Sequence, residues 1–95
     1  MAAQGERPVA LPAVVDLDAL EDVRDSLLAA AGGHVVVNGE AVERISTNAL
    51  LLLVSAAETA RRNESAFEVA TASPAMRAAI DRLGLTSAFS AMLRG

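Results

Sequence analysis

Hydrophobic positions along the chain form short runs separated by longer amphipathic segments. Residues 8–15 are rich in Val and Leu, and Pro12 interrupts them, which predicts one short edge strand because proline removes a backbone donor. Residues 34–38 are rich in valine and end at an Asn-Gly turn signal; their consecutive apolar positions predict a central strand buried on both faces. Residues 67–70 predict a third strand.

Helical periodicity follows the first of these runs. Asp18 with Glu21 three residues later resembles a capping box, and the apolar residues behind it recur on one face of a helix. Gly32 and Gly33 are predicted to end this helix. Its apolar face consists of Leu20, Val23, Leu27 and Leu28.

A second helix is predicted from Ser46 as N-cap to about Arg62. Residues 49–54 are apolar around the whole helix, so we expect the protein to enclose this end and expect Leu51→Asp to unfold it. Glu58 and Arg62 have the spacing of a surface ion pair.

Two further helices are predicted near the end of the sequence. Ser73 and Pro74 have the residue types preferred at the N-cap and the first helical position, and Gly84 is predicted to end that helix. A short last helix is predicted from Thr86. The expected buried residues of the two are Met76, Ile80, Leu83, Phe89, Met92 and Leu93.

Strands that alternate with helices predict an α/β fold with a mainly parallel sheet of about four strands and helices packed on it. The length of 95 residues fits one small domain. We expect residues 1–7 to be a flexible N-terminus and residues 8–95 to be the domain. The N-terminus does not resemble a signal peptide, and the longest apolar run is far shorter than the roughly 20 residues of a membrane span, so a cytoplasmic protein is expected.

Composition disfavours several classes of function. The formal net charge of −4 repels phosphate backbones, and two aromatic residues offer a poor stacking platform, so nucleic acid is not an expected partner. The chain has no cysteine, lysine or tyrosine and one histidine, so we expect no catalytic constellation and no cofactor. His34 is expected to be a structural residue. A solvated helix face, and not a metal site, is expected from Asp16, Asp18, Glu21, Asp22 and Asp25.

One polar segment lies where a strand end is predicted to become a helix N-terminus. Ser46, Thr47 and Asn48 place two hydroxyls and an amide beside free backbone N–H groups and the positive end of the helix dipole. Ser46 suits an N-cap. A phosphate on Thr47 would add roughly −1.5 to −2 charges at a favourable helix end and change the surface that a partner meets.

Two motifs resemble the STAS domain family, which has the anti-anti-sigma-factor fold. Residues 72–77, Ala-Ser-Pro-Ala-Met-Arg, and the residues behind them look like the signature near the end of these domains. The family's phosphoacceptor motif, Asp-Ser/Thr-Ser/Ala-Gly-Leu, falls at the expected distance upstream. It matches Ser46, Thr47, Asn48, Ala49 and Leu50. The resemblance covers about residues 8–93.

The resemblance implies a partner-binding surface over these five residues, with Thr47 as the phosphoacceptor and Ser46 as the runner-up. Two positions depart from the family pattern. Ser46 stands where the family has an acid, and Ala49 stands where it has glycine.

Three functions are compatible with the resemblance. The first is a non-enzymatic signalling adaptor, monomeric or weakly dimeric, that binds a kinase-like or chemotaxis-array partner and is switched at Thr47. Residues 11–17 look like those of small STAS proteins encoded beside chemotaxis kinases. The second is an accessory subunit of an ABC phospholipid transporter, because residues 42–45 are similar to the MlaB type. The third is a small-ligand or nucleotide-binding STAS module.

Overall fold

The structure is a computed structural model, and it describes residues 6–30 and 33–93. Within these residues strands alternate with helices, which is the predicted α/β class. In chain order the elements are β1 (Glu6–Ala10), β2 (Val14–Val15), α1 (Leu17–Ala30), β3 (His34–Gly39), β4 (Arg44–Ile45), α2 (Thr47–Arg62), β5 (Phe67–Ala72), α3 (Pro74–Arg82) and α4 (Thr86–Ser90).

The main sheet has the strand order β1-β3-β5, and both pairings are parallel. β3 is therefore the central strand, as predicted. Val9, Val37 and Val69 form one row across the three strands, and all three are buried. A second, two-stranded parallel sheet joins β2 to β4. Instead of one sheet of about four strands, the described residues thus form sheets of three and two, with a single bridge between Leu93 and Val69 beside β5.

Pro12 divides the predicted first strand into two strands of different sheets. β1 ends at Ala10, and the Leu11 N–H still donates to the Asn38 carbonyl at 2.9 Å. The ladder stops there because proline has no N–H to continue it. β1 begins at Glu6, inside the segment predicted to be a flexible N-terminus. The earlier part of that segment lies outside the described residues.

The helices α1 and α2 cover one face of the main sheet. Right-handed crossovers that proceed in one direction, from β1 to β3 to β5, place both connecting helices on the same side. Burial therefore alternates along β3. Val35 and Val37 are buried as predicted, but Val36 is half-buried and Asn38 is exposed. The prediction that β3 is buried on both faces is wrong.

The cap of α1 is Asp16 and not the predicted Asp18. The Asp16 carboxylate accepts a hydrogen bond from the Asp18 N–H at 3.1 Å, and its carbonyl accepts from the N–H groups of Ala19 and Leu20. The helix consequently begins at Leu17, two residues before the start that a cap at Asp18 would give.

The buried stripe of α1 is narrower than predicted. Val23, Leu27 and Ala30 are buried, whereas Leu28 is 65% exposed because it lies about 100° around the helix from Leu27. The helix ends at Ala30, and the Gly33 N–H donates to its carbonyl at 3.4 Å. Gly32, also predicted to end it, lies outside the described residues.

The bounds of α2 agree with the prediction, but its first turns are not fully enclosed. Leu50 and Leu53 face the core, and Leu51 is 47% exposed on the opposite side of the helix. α2 packs mainly against β5 and α1. Glu58 pairs with Arg61 and not with the predicted Arg62.

The C-terminal helices begin as predicted. Pro74 is the first residue of α3, and Met76 and Ile80 are buried in the core. Leu83 is 41% exposed, contrary to the prediction, because it is the C-cap and lies beyond the buried stripe. Gly84 follows with φ of +72°, a conformation in which glycine avoids a Cβ clash. The predicted core residues Phe89 and Met92 are buried, and Leu93 is half-buried.

Candidate functional site

The start of α2 is fixed by hydrogen bonds on both sides of Ser46. Its backbone N–H donates to the Val15 carbonyl at 2.9 Å, which ties it to β2. Its hydroxyl accepts from the Ala49 N–H at 3.1 Å, and its carbonyl accepts from the Leu50 N–H. Ser46 is therefore the N-cap, as predicted, and Thr47 is the first helical residue.

Burial separates the five residues of the sequence motif into two groups. Thr47 and Asn48 are exposed, and Ser46 is half-buried. Ala49 and Leu50 are 1% and 0% exposed, and both belong to the core. Only Thr47 and Asn48 thus present whole side chains to a partner, whereas Ala49 and Leu50 hold the helix end on the protein.

Backbone groups at this helix end remain available for an acceptor. The N–H groups of Thr47 and Asn48 have no intrahelical partner, because they lie in the first turn. They lie at the positive end of the α2 dipole, where an anion is stabilised. Among the described residues, no side chain pairs with the Thr47 hydroxyl.

Ser73 holds the segment that leads to this helix end. Its hydroxyl donates to the Val42 carbonyl at 2.6 Å and accepts from the Met76 N–H at 3.0 Å. Its backbone N–H donates to the Gly39 carbonyl at 3.1 Å. Ser73 is 6% exposed, and it joins the start of α3 to both ends of the loop between β3 and β4.

Gly39, at the end of β3, packs closely against α3 and β5. A Cβ atom on Gly39 would lie 2.6 Å from the Met76 Sδ and 3.1 Å from the Thr71 carbonyl oxygen. The close packing therefore favours glycine, because a Cβ atom here would displace the Met76 side chain and crowd the Thr71 carbonyl. Sequence reasoning identified Ser73 as an N-cap and Gly39 as a turn residue, but it missed their joint role in positioning the segment before Thr47.

The surface beside Ser46 carries charges of both signs. A depression between the second sheet and α3 is lined by Asp16, Glu43, Arg44 and Arg82, and by the small side chains of α3. A mixed-charge rim of this kind contributes specificity and steering to protein association more than affinity.

The contact that His34 makes supports the structural role predicted for it. Its Nε2 lies 2.6 Å from the Glu68 carboxylate, which joins β3 to β5 on the face of the sheet that α1 and α2 do not cover. His34 begins β3, whereas Thr47 lies beyond the other end of that strand. The histidine is thus remote from the candidate site.

The acidic residues around α1 form a solvated face, as predicted. Each side chain is exposed, and in the described part of the chain no group of three or more potential ligands could hold a metal ion. They are Asp16, Asp18, Glu21, Asp22 and Asp25. Within the same residues, no helix combines the length and the apolar character needed to cross a membrane.

Comparison with known protein families gave a match over residues 2–94 to the model described as "Mlab, STAS domain". Comparison with curated proteins and with solved structures gave no significant match. The match covers nearly the whole chain and spans both motif segments, one at the start of α2 and one at the start of α3. The chain therefore belongs to the STAS domain family.

Proposed function

We propose that this chain is a non-enzymatic regulatory or accessory domain that binds a partner protein through the exposed N-terminal end of α2. The observation that carries the proposal is the contrast within one turn of helix: Thr47 and Asn48 are exposed, while Ala49 and Leu50 are fixed in the core. A rigid scaffold that presents a few polar groups is the usual construction of a recognition site. STAS membership supports a protein partner.

The first form of this function is a signalling adaptor for a kinase-like or chemotaxis-array partner, with Thr47 as a phosphorylation switch and Ser46 as the runner-up. The exposed Thr47 hydroxyl supports it, since a kinase needs access to the acceptor. Ser46 is the weaker candidate because its hydroxyl already caps the helix. A phosphate on Thr47 would meet free N–H groups and the favourable end of the dipole.

The second form is a constitutive accessory subunit of an ABC-transporter ATPase, in which Thr47 is an unmodified contact. The description of the matched family as Mlab favours it. The departures from the phosphoacceptor motif also fit a site that no kinase needs to recognise. Ser46 replaces the acid and serves as the cap, and Ala49 replaces glycine with a methyl group that packs in the core.

The test begins with identification of the partner by affinity purification from the native cell. Wild type, Thr47→Glu and Thr47→Ala are then titrated against the purified partner, with a thermal melt of each. Thr47→Glu should remain folded, because a carboxylate at this helix end changes the free energy of unfolding by about 0.3–1 kcal/mol in the favourable direction. Its affinity should fall more than tenfold, because an imperfectly paired interfacial charge costs about 2–5 kcal/mol. Thr47→Ala should lose less affinity for the partner.

Ser87→Glu is the matched control, since it adds the same charge at an exposed position of α4. It should bind like wild type. Equal affinities for all four proteins would remove Thr47 from the interface and end the proposal. The same purified proteins distinguish the two forms of the proposed function. Incorporation of phosphate at Thr47 by a cognate kinase supports the signalling adaptor. A stable stoichiometric complex with an ATPase, without phosphate incorporation, supports the accessory subunit.

A further inference from the structure

A second surface of the protein exposes large apolar side chains that the fold does not use. Leu17 is 71% exposed, Leu28 is 65% exposed and Leu51 is 47% exposed. Single exposed leucines are ordinary on protein surfaces, but a contiguous group marks a contact area. The positions of these three residues therefore decide whether they form one surface.

All three line a groove between α1 and α2, which pack side by side on the sheet. Leu17, Leu51 and Asn48 border its first half, which begins beside the N-terminal ends of the two helices. Leu28 borders its second half. Arg24 and Leu52 line both halves, so the groove is continuous along the two helices. We call it the α1–α2 groove.

The two sides of the α1–α2 groove differ in charge. The α2 side is formed by apolar residues and by uncharged polar ones such as Asn48, Ser55 and Thr59. The α1 side carries two acids, Asp18 and Glu21, in the first half of the groove, and Arg24 is the one cation among the described residues that line the groove. Asp22 and Asp25 are also exposed on α1, but they do not line the groove.

From this combination we infer that the α1–α2 groove binds an amphipathic helix of a partner protein, one whose apolar stripe is flanked by Arg or Lys. A groove between two helices accepts a third helix through apolar anchors spaced i, i+3 or i+4, and i+7. The acidic border selects basic flanks and rejects acidic ones. It also disfavours a second copy of this chain, whose net charge is −4 and whose own groove has the same acidic border.

The α1–α2 groove is distinct from the Thr47 surface, because Thr47 does not line it. Asn48 does, so the groove begins next to that surface. A partner could therefore engage both, but the inference does not depend on the role of Thr47.

The probe for the test is a fluorescein-labelled synthetic peptide of Leu, Ala and Arg, about as long as α2. Its leucines are placed at i, i+3 and i+7, and its arginines flank that stripe. One control peptide has the same composition with leucines distributed around the helix, and another has Glu in place of Arg. Fluorescence anisotropy measures the dissociation constant of each at about 0.15 M salt, where exposed charges are partly screened.

We expect the striped basic peptide to bind about tenfold more tightly than either control peptide. Leu17→Ser and Leu51→Ser should each weaken binding of this peptide by about fivefold or more, because a few apolar anchors supply most of the binding energy in such interfaces. Both residues are exposed, so the variants should melt like wild type. Leu83→Ser is the matched control, because Leu83 is an exposed leucine at the C-cap of α3 that does not line the groove.

Three results would overturn the inference. One is equal binding of the striped basic peptide and either control peptide. Another is a loss of peptide affinity in Leu83→Ser as large as that in Leu51→Ser. The third is a dimer in sedimentation analysis that Leu51→Ser dissociates, since the groove would then bind a second copy of this chain.

Discussion

Ser73 illustrates how one hydroxyl can stabilise two parts of the protein. It caps α3 by accepting from the Met76 N–H, and it donates to the carbonyl of Val42, which is itself buried. The second bond spans 31 residues of sequence. Ser46 provides a comparison, because its hydroxyl caps α2 and makes no second hydrogen bond among the described residues.

We predict that Ser73→Ala lowers the free energy of unfolding by about 2–3 kcal/mol, because it removes a cap and also leaves a buried carbonyl without its donor. Ser46→Ala should cost only about 1 kcal/mol, the usual value of an N-cap. Urea denaturation of both variants provides the measurement. If the two losses are equal, the bond to Val42 contributes nothing measurable.

The sequence was sufficient to predict Ser46 and Ser73 as caps, since cap preferences depend on neighbours within one helical turn. It could not predict the bond from Ser73 to Val42 or the contact between Gly39 and Met76. These connect residues that only the folded chain brings together, and the residue types involved do not encode the pairing.

At the scale of elements, hydrophobic periodicity predicts which face of a helix is buried but not how wide the buried face is. The pattern of apolar neighbours predicts that Leu28, Leu51 and Leu83 are in the core, but each is exposed. The width depends on how many elements pack around the helix, which is a property of the topology. α2, for example, packs mainly against β5 and α1.

For α2 this leads to a prediction opposite to that from the sequence. Leu51→Asp should leave the protein folded, with a change of about 1 kcal/mol or less in the free energy of unfolding, because Leu51 is 47% exposed. Leu53→Asp should unfold it, because an unpaired carboxylate in place of a side chain that is 1% exposed costs several kcal/mol against a total stability of about 5–15 kcal/mol.

Circular dichroism during thermal unfolding distinguishes these two variants. A cooperative melt near that of wild type is expected for Leu51→Asp, and a spectrum without a melting transition for Leu53→Asp. Loss of the transition in Leu51→Asp would place that residue in the core after all.

At the scale of the whole molecule, alternating strands and helices were enough to predict an α/β fold with a parallel sheet. The strand count was harder to predict, because Pro12 separates β1 from β2 and because the position beside β5 is occupied by a single bridge at Leu93. The sequence also did not reveal that α1 and α2 leave one face of the main sheet uncovered. It follows from the strand order β1-β3-β5, which local sequence does not contain.

The parallel pairing of every strand in both described sheets also determines the order in which the protein can assemble. A hairpin brings adjacent strands together early. Here Glu6 pairs with His34, and Val35 pairs with Phe67, so each strand pairs with one that lies far along the sequence. Each closure encloses a whole helix, which makes the contacts non-local and slows folding. We therefore expect the helices to form before the sheet, and refolding in stopped-flow experiments to take milliseconds or longer. Complete refolding within microseconds would contradict this. During synthesis, β1 leaves the ribosome without a partner and remains an unpaired strand until β3 has been made.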